Sequence, residues 1–132
     1  MTPRESKNAD PAAIQFIVDE IESVPHLEAL LLIRSSRPQK WTLEELGKRL
    51  YITPEAARIL IDDLIRRKLL ELDSTGPSSS YYYAASDEQD RVIGLVDDIY
   101  RRQLVRVSQL IHSKPSAAVR DFARAFRFTK DE

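Results

Sequence analysis

Apolar residues along most of this chain recur at spacings of three and four, which predicts helices. Ile14, Ile17, Val18 and Ile21 form one such stripe. It follows Asp10-Pro11, a cap acceptor and a proline whose missing N–H costs nothing at a first helical position. This first helix is expected to end near Pro25. A second runs from about His26 to Ser35, and Leu27, Ala29, Leu30, Leu31, Leu32 and Ile33 make it apolar nearly all round. Such a helix is normally buried between neighbours. Ser35-Ser36-Arg37-Pro38 ends it.

The stretch after Trp41 is the most informative. Thr42-Leu43-Glu44-Glu45 reads as a capping box, with Leu43, Leu46, Gly47 and Leu50 on the apolar face of a helix about two turns long. Tyr51-Ile52 is a brief turn, and Thr53-Pro54-Glu55-Ala56 restarts a helix. Ala57, Leu60, Ile61 and Leu64 give that third helix its buried stripe, to about Lys68. Leu69 to Leu72 reads as a strand, Asp73 to Ser79 as loop, and Ser80 to Ala84 as the returning strand of a small hairpin.

From Asp87 to about Ser113 the pattern predicts one uninterrupted helix of about 26 residues, or about 39 Å. Val92, Leu95, Val96, Ile99, Gln103, Val107 and Leu110 mark one face, and Ile93, Tyr100, Leu104 and Ile111 widen it. A final helix from about Pro115 to Arg127 carries Val119, Phe122, Ala123 and Phe126. The expected organisation is a polar, disordered N-terminus over 1–9, an N-terminal helix with a compact helix–hairpin core over 10–86, and a helical dimerisation or packing layer of the same domain over 87–132.

Composition narrows the function. The 132 residues suit one domain, and the chain has no cysteine, which removes disulfides, thiol catalysis and Cys-based zinc sites. The polar start and the lack of a long apolar run point to a cytoplasmic protein without membrane association. A net charge of −1 gives no global basic footprint for nucleic acid. Trp41–Ala85 holds six basic and seven acidic residues, whereas Arg91–Glu132 holds nine basic and five acidic, a surplus on the C-terminal helices.

Nothing suggests an enzyme or a cofactor. The two histidines, His26 and His112, lie far apart on helices, and there is no phosphate-binding glycine loop, HExxH arrangement or nucleophile elbow. Asp62-Asp63 and Asp97-Asp98 are adjacent pairs whose side chains diverge around a helix, and they read as solvated charges. Tyr81 and Tyr83 share one strand face and Tyr82 the other, so packing on the helices is expected of the first two. Trp41 is expected in the core or beside the hairpin.

The segment from Thr42 to Tyr83 resembles the winged helix-turn-helix of the multiple-antibiotic-resistance-regulator (MarR) family. The resemblance is carried by Thr42-Leu43-Glu44-Glu45-Leu46-Gly47-Lys48-Arg49-Leu50, by Tyr51-Ile52-Thr53-Pro54, and by Ala57 with the run from Leu60 to Leu70. It implies a mainly α fold with a small β-hairpin wing, flanked by N- and C-terminal helices. It also implies a transcriptional regulator that binds DNA as a homodimer through its terminal helices.

In such folds the third helix enters the major groove. Its early exposed positions here are Thr53, Glu55, Ala56, Arg58, Ile59 and Asp62, of which only Arg58 is a cation, and the wing tip from Ser74 to Ser80 has none. Arg58 and Thr53 are the candidate contacts on the helix, with Lys48, Arg66, Arg67, Arg37 and Lys40 as candidate backbone contacts. As the alternative, Glu55, Ile59 and Asp62 read as a surface for a protein partner. Arg120, Arg124 and Arg127 make the last helix basic and amphipathic, suited to docking on the domain or to an acidic partner. A monomer with that helix folded back is the alternative to the dimer.

Overall fold

A computed structural model of the chain describes residues 10–113. The expectations for the N-terminus and for the helix carrying Arg120, Arg124 and Arg127 lie outside the described residues. Within them the order is α1 (Pro11–Glu20), α2 (Val24–Ser35), α3 (Leu43–Leu50), α4 (Pro54–Arg66), β1 (Leu70–Asp73), β2 (Ser80–Tyr83), α5 (Asp87–Arg102) and α6 (Leu104–Ser113). This is a mainly helical fold with an antiparallel hairpin, a winged helix-turn-helix core flanked by helices.

Local chemistry sets most of the boundaries. Asp10 caps α1 through the Ala12 N–H at 2.8 Å. Ser86 caps α5 with the reciprocal Gln89 bond of a capping box. α2 starts earlier than the sequence pattern suggested: Ser23 is its cap, accepting from His26 N, so Pro25 lies in the first turn of α2 rather than at the end of α1. Proline fits there because first-turn N–H groups have no intrahelical acceptor. At the far end of α4, Lys68 takes φ 66°, with Lys68 N bonded to Ile65 O and Leu69 N to Leu64 O. This Schellman closure ends the helix at Arg66 and brings buried Leu69 over buried Leu64.

The wing is a short ladder in which Leu70 pairs with Tyr83 and Leu72 with Tyr81. Trp41 adds a bridge to its other edge, with Trp41 N donating to Tyr81 O at 2.9 Å and Tyr81 N to Trp41 O at 2.8 Å. Tyr81 and Tyr83 pack against the core, whereas the Tyr82 hydroxyl reaches Glu71 at 2.7 Å on the opposite face. The core is continuous, joining Ile17 of α1 and Ile21 just after it, Leu27, Leu30 and Ile33 of α2, Ile61 and Leu64 of α4, and Ile93 and Val96 of α5.

The single long helix expected from Asp87 to Ser113 is in fact two. Gln103 leaves helical geometry at φ −134° and ψ 54°; its N–H closes α5 on Ile99 O, and its carbonyl receives Val107 N to open α6. The break turns α6 back onto α1, with Val107 and Ile111 buried and Leu104 and Val105 left outside. No proline or glycine stands at the break, which accompanies the burial of Val107 and Ile111.

The acidic pairs also differ from expectation. Asp62 is solvated, but Asp63 is only 7% exposed. Its carboxylate accepts Arg67 Nε at 2.9 Å, pairs with Arg66, and faces His26 Nε2 at 3.5 Å. Asp97 is likewise largely covered and paired with Arg34 and Arg101, while Asp98 is exposed. A helix turns about 100° between neighbours, so one of two adjacent acids faces inward and must find cations there. Among the described residues, no helix is long and apolar enough to cross a membrane.

Candidate nucleic-acid interface

The helix-turn-helix is built from three local devices. Thr42 and Glu45 close the capping box of α3, with bonds of 2.9 and 3.1 Å. Gly47 lets the turn fold back against the helix: a Cβ there would sit 2.7 Å from Ile52 O. Tyr51 then takes a left-handed conformation, φ 60° and ψ 43°, ending α3 and redirecting the chain. Thr53 caps α4 through Ala56 N at 3.0 Å, and Pro54 occupies its first turn.

Ala57, Leu60, Ile61 and Leu64 fix α4 in the core. The opposite face presents Glu55, Arg58, Ile59 and Asp62, spaced as i, i+3, i+4 and i+7 and all exposed. Ile59 is 69% exposed, unusual for an aliphatic side chain on a helix with a well-filled core face. Arg58 and Asp62 form an ion pair one turn apart, Nε to Oδ2 at 3.7 Å. The stripe therefore carries one cation against two acids.

The other candidate cations divide into engaged and open. Arg67 is committed to the interior: its side chain is 16% exposed and reaches Asp63, Glu20, Glu22 and the Asp19 carbonyl. It ties the end of α4 to the end of α1 and has no face to offer a ligand. Arg66 pairs with the same Asp63 but projects into solvent. Arg37 lies in the α2–α3 loop, bonded to Asp90 at 3.1 Å and stacked over the Tyr83 ring at 5.2 Å. Lys40 pairs with Asp73 at the end of β1 and lies over the Tyr82 ring at 5.4 Å. That bond holds the Asp73 carboxyl far below the usual carboxylate range, helped by Thr75. Lys48 is exposed on α3 and forms no ion pair with the described residues.

Thus Thr53, Glu55, Arg58, Ile59 and Asp62 come together on one helix, while Arg37 and Lys40 are drawn to the wing and α5. Two residues of consequence escaped the sequence pattern. Tyr51 is 93% exposed at the turn, and its only sequence signal is an aromatic where the chain must turn sharply. Arg49 stacks on Trp41, 5.8 Å from the ring, so it braces α3 against the wing.

Beside the turn, α2, α3 and α5 enclose an open groove of about 410 Å³, bordered by Leu31, Arg49, Tyr51 and Tyr100. The polar groups at this groove are engaged with one another. Tyr100 donates to Glu28 at 3.1 Å, and burial together with that bond pushes its phenol up to about 12. Arg101 is bonded to Asp97 at 3.0 Å.

No family model matches the chain, and no curated protein is a significant match. Solved structures do share its fold. The YusO protein from Bacillus subtilis is 14% identical, with a TM-score of 0.54 over 92% of this chain and 81% of that one. The multiple antibiotic-resistance repressor MarR from Listeria monocytogenes is 16% identical, with a TM-score of 0.51 over 91% and 80%. The PcaV transcriptional regulator from Streptomyces coelicolor is 20% identical, with a TM-score of 0.50 over 90% and 82%. The chain is thus a winged helix-turn-helix protein that resembles MarR-type regulators along most of its length.

Proposed function

We propose that this protein is a non-enzymatic transcriptional regulator of the cytoplasm that binds duplex DNA as a homodimer, with α4 in the major groove. The observation that carries the reading is the exposed stripe of α4, presented by a helix-turn-helix whose fold is that of transcriptional regulators. Arg58 supplies the base or phosphate contact on the helix, and Thr53 adds a hydroxyl at its start. Lys48 and Arg66 supply backbone contacts, Lys40 and Arg37 lie beside them but are held by Asp73 and Asp90, and Arg67 serves the fold instead. Apolar Leu104 and Val105, 51% and 68% exposed at the start of α6, support assembly through the C-terminal layer.

Binding to a mixed-sequence duplex, measured across salt, tests the reading. Affinity should fall as salt rises, in proportion to the phosphates neutralised. No binding at low salt would reject it. For the dimer, Val105→Glu should halve the mass seen by sedimentation.

The charge of the stripe supports a second reading, in which Glu55, Ile59 and Asp62 bind a protein partner. Under it, Arg58→Ala leaves duplex affinity unchanged. Under the DNA reading, that substitution weakens binding about tenfold, the cost of one lost charged contact.

A further inference from the structure

Within that DNA-binding reading, we infer that Asp62 positions Arg58 to read a guanine and that Ile59 reads the methyl group of a neighbouring thymine. The starting point is the composition of the stripe. A helix face that only gripped phosphates would carry unpaired cations, because neutralised phosphates supply most non-specific affinity. Here the cation is paired with an acid one turn along, and an exposed aliphatic side chain is the next residue on the same stripe.

Pairing lowers the value of Arg58 as a charge and raises its value as a directed donor. Asp62 Oδ2 lies against Nε, at 3.7 Å, and both side chains otherwise point into solvent. With the carboxylate attracted to the Nε side, the two terminal amino groups are left free to donate together. Two parallel donors match the O6 and N7 acceptors of guanine in the major groove, and adenine presents a donor at the corresponding edge. Asp62 thus acts through Arg58 as a positioning residue. Its own charge would repel phosphates, so simple backbone gripping gives it no role.

Ile59 offers neither donor nor acceptor. Its 69% exposure leaves a branched aliphatic surface beside Arg58, on the same stripe as Glu55 and Asp62. The apolar feature available to it on a base edge in the major groove is the thymine C5 methyl.

The test uses the full chain. A preferred duplex is selected from a random pool, and binding is then compared for that duplex and two variants, guanine to adenine and thymine to uracil. The second change removes only the methyl. Wild type should lose about tenfold on the guanine change and about threefold on the uracil change, the sizes expected for a bidentate contact and one buried methyl. Asp62→Ala should bind non-specific duplex more tightly in low salt, since an acid is gone, yet its guanine preference should collapse to within about twofold. Ile59→Ala should bind thymine and uracil duplexes alike.

Full guanine preference in Asp62→Ala, or a persistent uracil penalty in Ile59→Ala, overturns the inference while leaving DNA binding intact. Absence of binding to any duplex by wild type overturns the reading beneath it and this inference with it. Circular dichroism of each exposed-site variant should match wild type, so that a lost preference reports on recognition.

Discussion

Tyr83 donates its phenolic hydrogen to Asp90 Oδ1 at 2.5 Å. The same oxygen receives Arg34 Nε at 2.8 Å and Arg37 Nη1 at 3.1 Å. One carboxylate at the start of α5 therefore fastens the wing and the end of α2. Every donor on it favours the ionised form, so the Asp90 carboxyl sits below its usual value, chiefly through Tyr83 and, against partial burial, through Arg34.

A depressed folded-state value stabilises the fold above the unfolded carboxylate pKa of about 4, and the stabilisation is lost as pH falls through the folded value. Asp90→Asn should cost about 1–2 kcal/mol at neutral pH, a modest figure for a partly exposed site. Below about pH 4 the gap from wild type should close. Thermal melts across that window check it; a constant gap would mean that Asp90 acts by shape alone.

Gly47→Ala should destabilise the protein by about 1–3 kcal/mol through overpacking. The added methyl would stand 2.7 Å from Ile52 O, a backbone atom that cannot swing aside. Denaturant titration of the variant measures the loss, and an unchanged midpoint would show that the turn can widen freely.

Tyr51→Gly should have the opposite sign. A tyrosine at φ 60° bears the steric cost of left-handed geometry, roughly 1 kcal/mol, which glycine escapes. The side chain is 93% exposed, so little packing is lost in exchange. A lower melting temperature in Tyr51→Gly would instead show that the ring contributes to the fold.

Asp73→Asn tests the wing. Lys40 is held by Asp73 and would become free for phosphate. Duplex affinity should rise, and the slope of log affinity against log salt should steepen by about 0.9, the value of one further phosphate contact. An unchanged slope would place Lys40 outside the interface.

Features fixed by near neighbours were legible in the sequence. The caps at Thr42 and Thr53 need only three residues of context, and the α4 stripe follows from helical periodicity. Distant pairing was not. Arg37 and Lys40 look alike as loop cations, but their acids stand 53 and 33 residues away. Asp62 and Asp63 are identical letters, separated in role by which one the fold turns toward His26 and Arg67. For the same reason the division of the cations into engaged and open became visible only in the structure.

The interruption at Gln103 has a consequence for cooperativity. An unbroken rod from Asp87 to Ser113 would fray only from its ends, but a helix that begins afresh at Leu104 has its own first-turn amide groups without intrahelical acceptors. The element carrying Leu104 and Val105 can therefore exchange its amide hydrogens as a separate unit while the ladder of α5 stays closed.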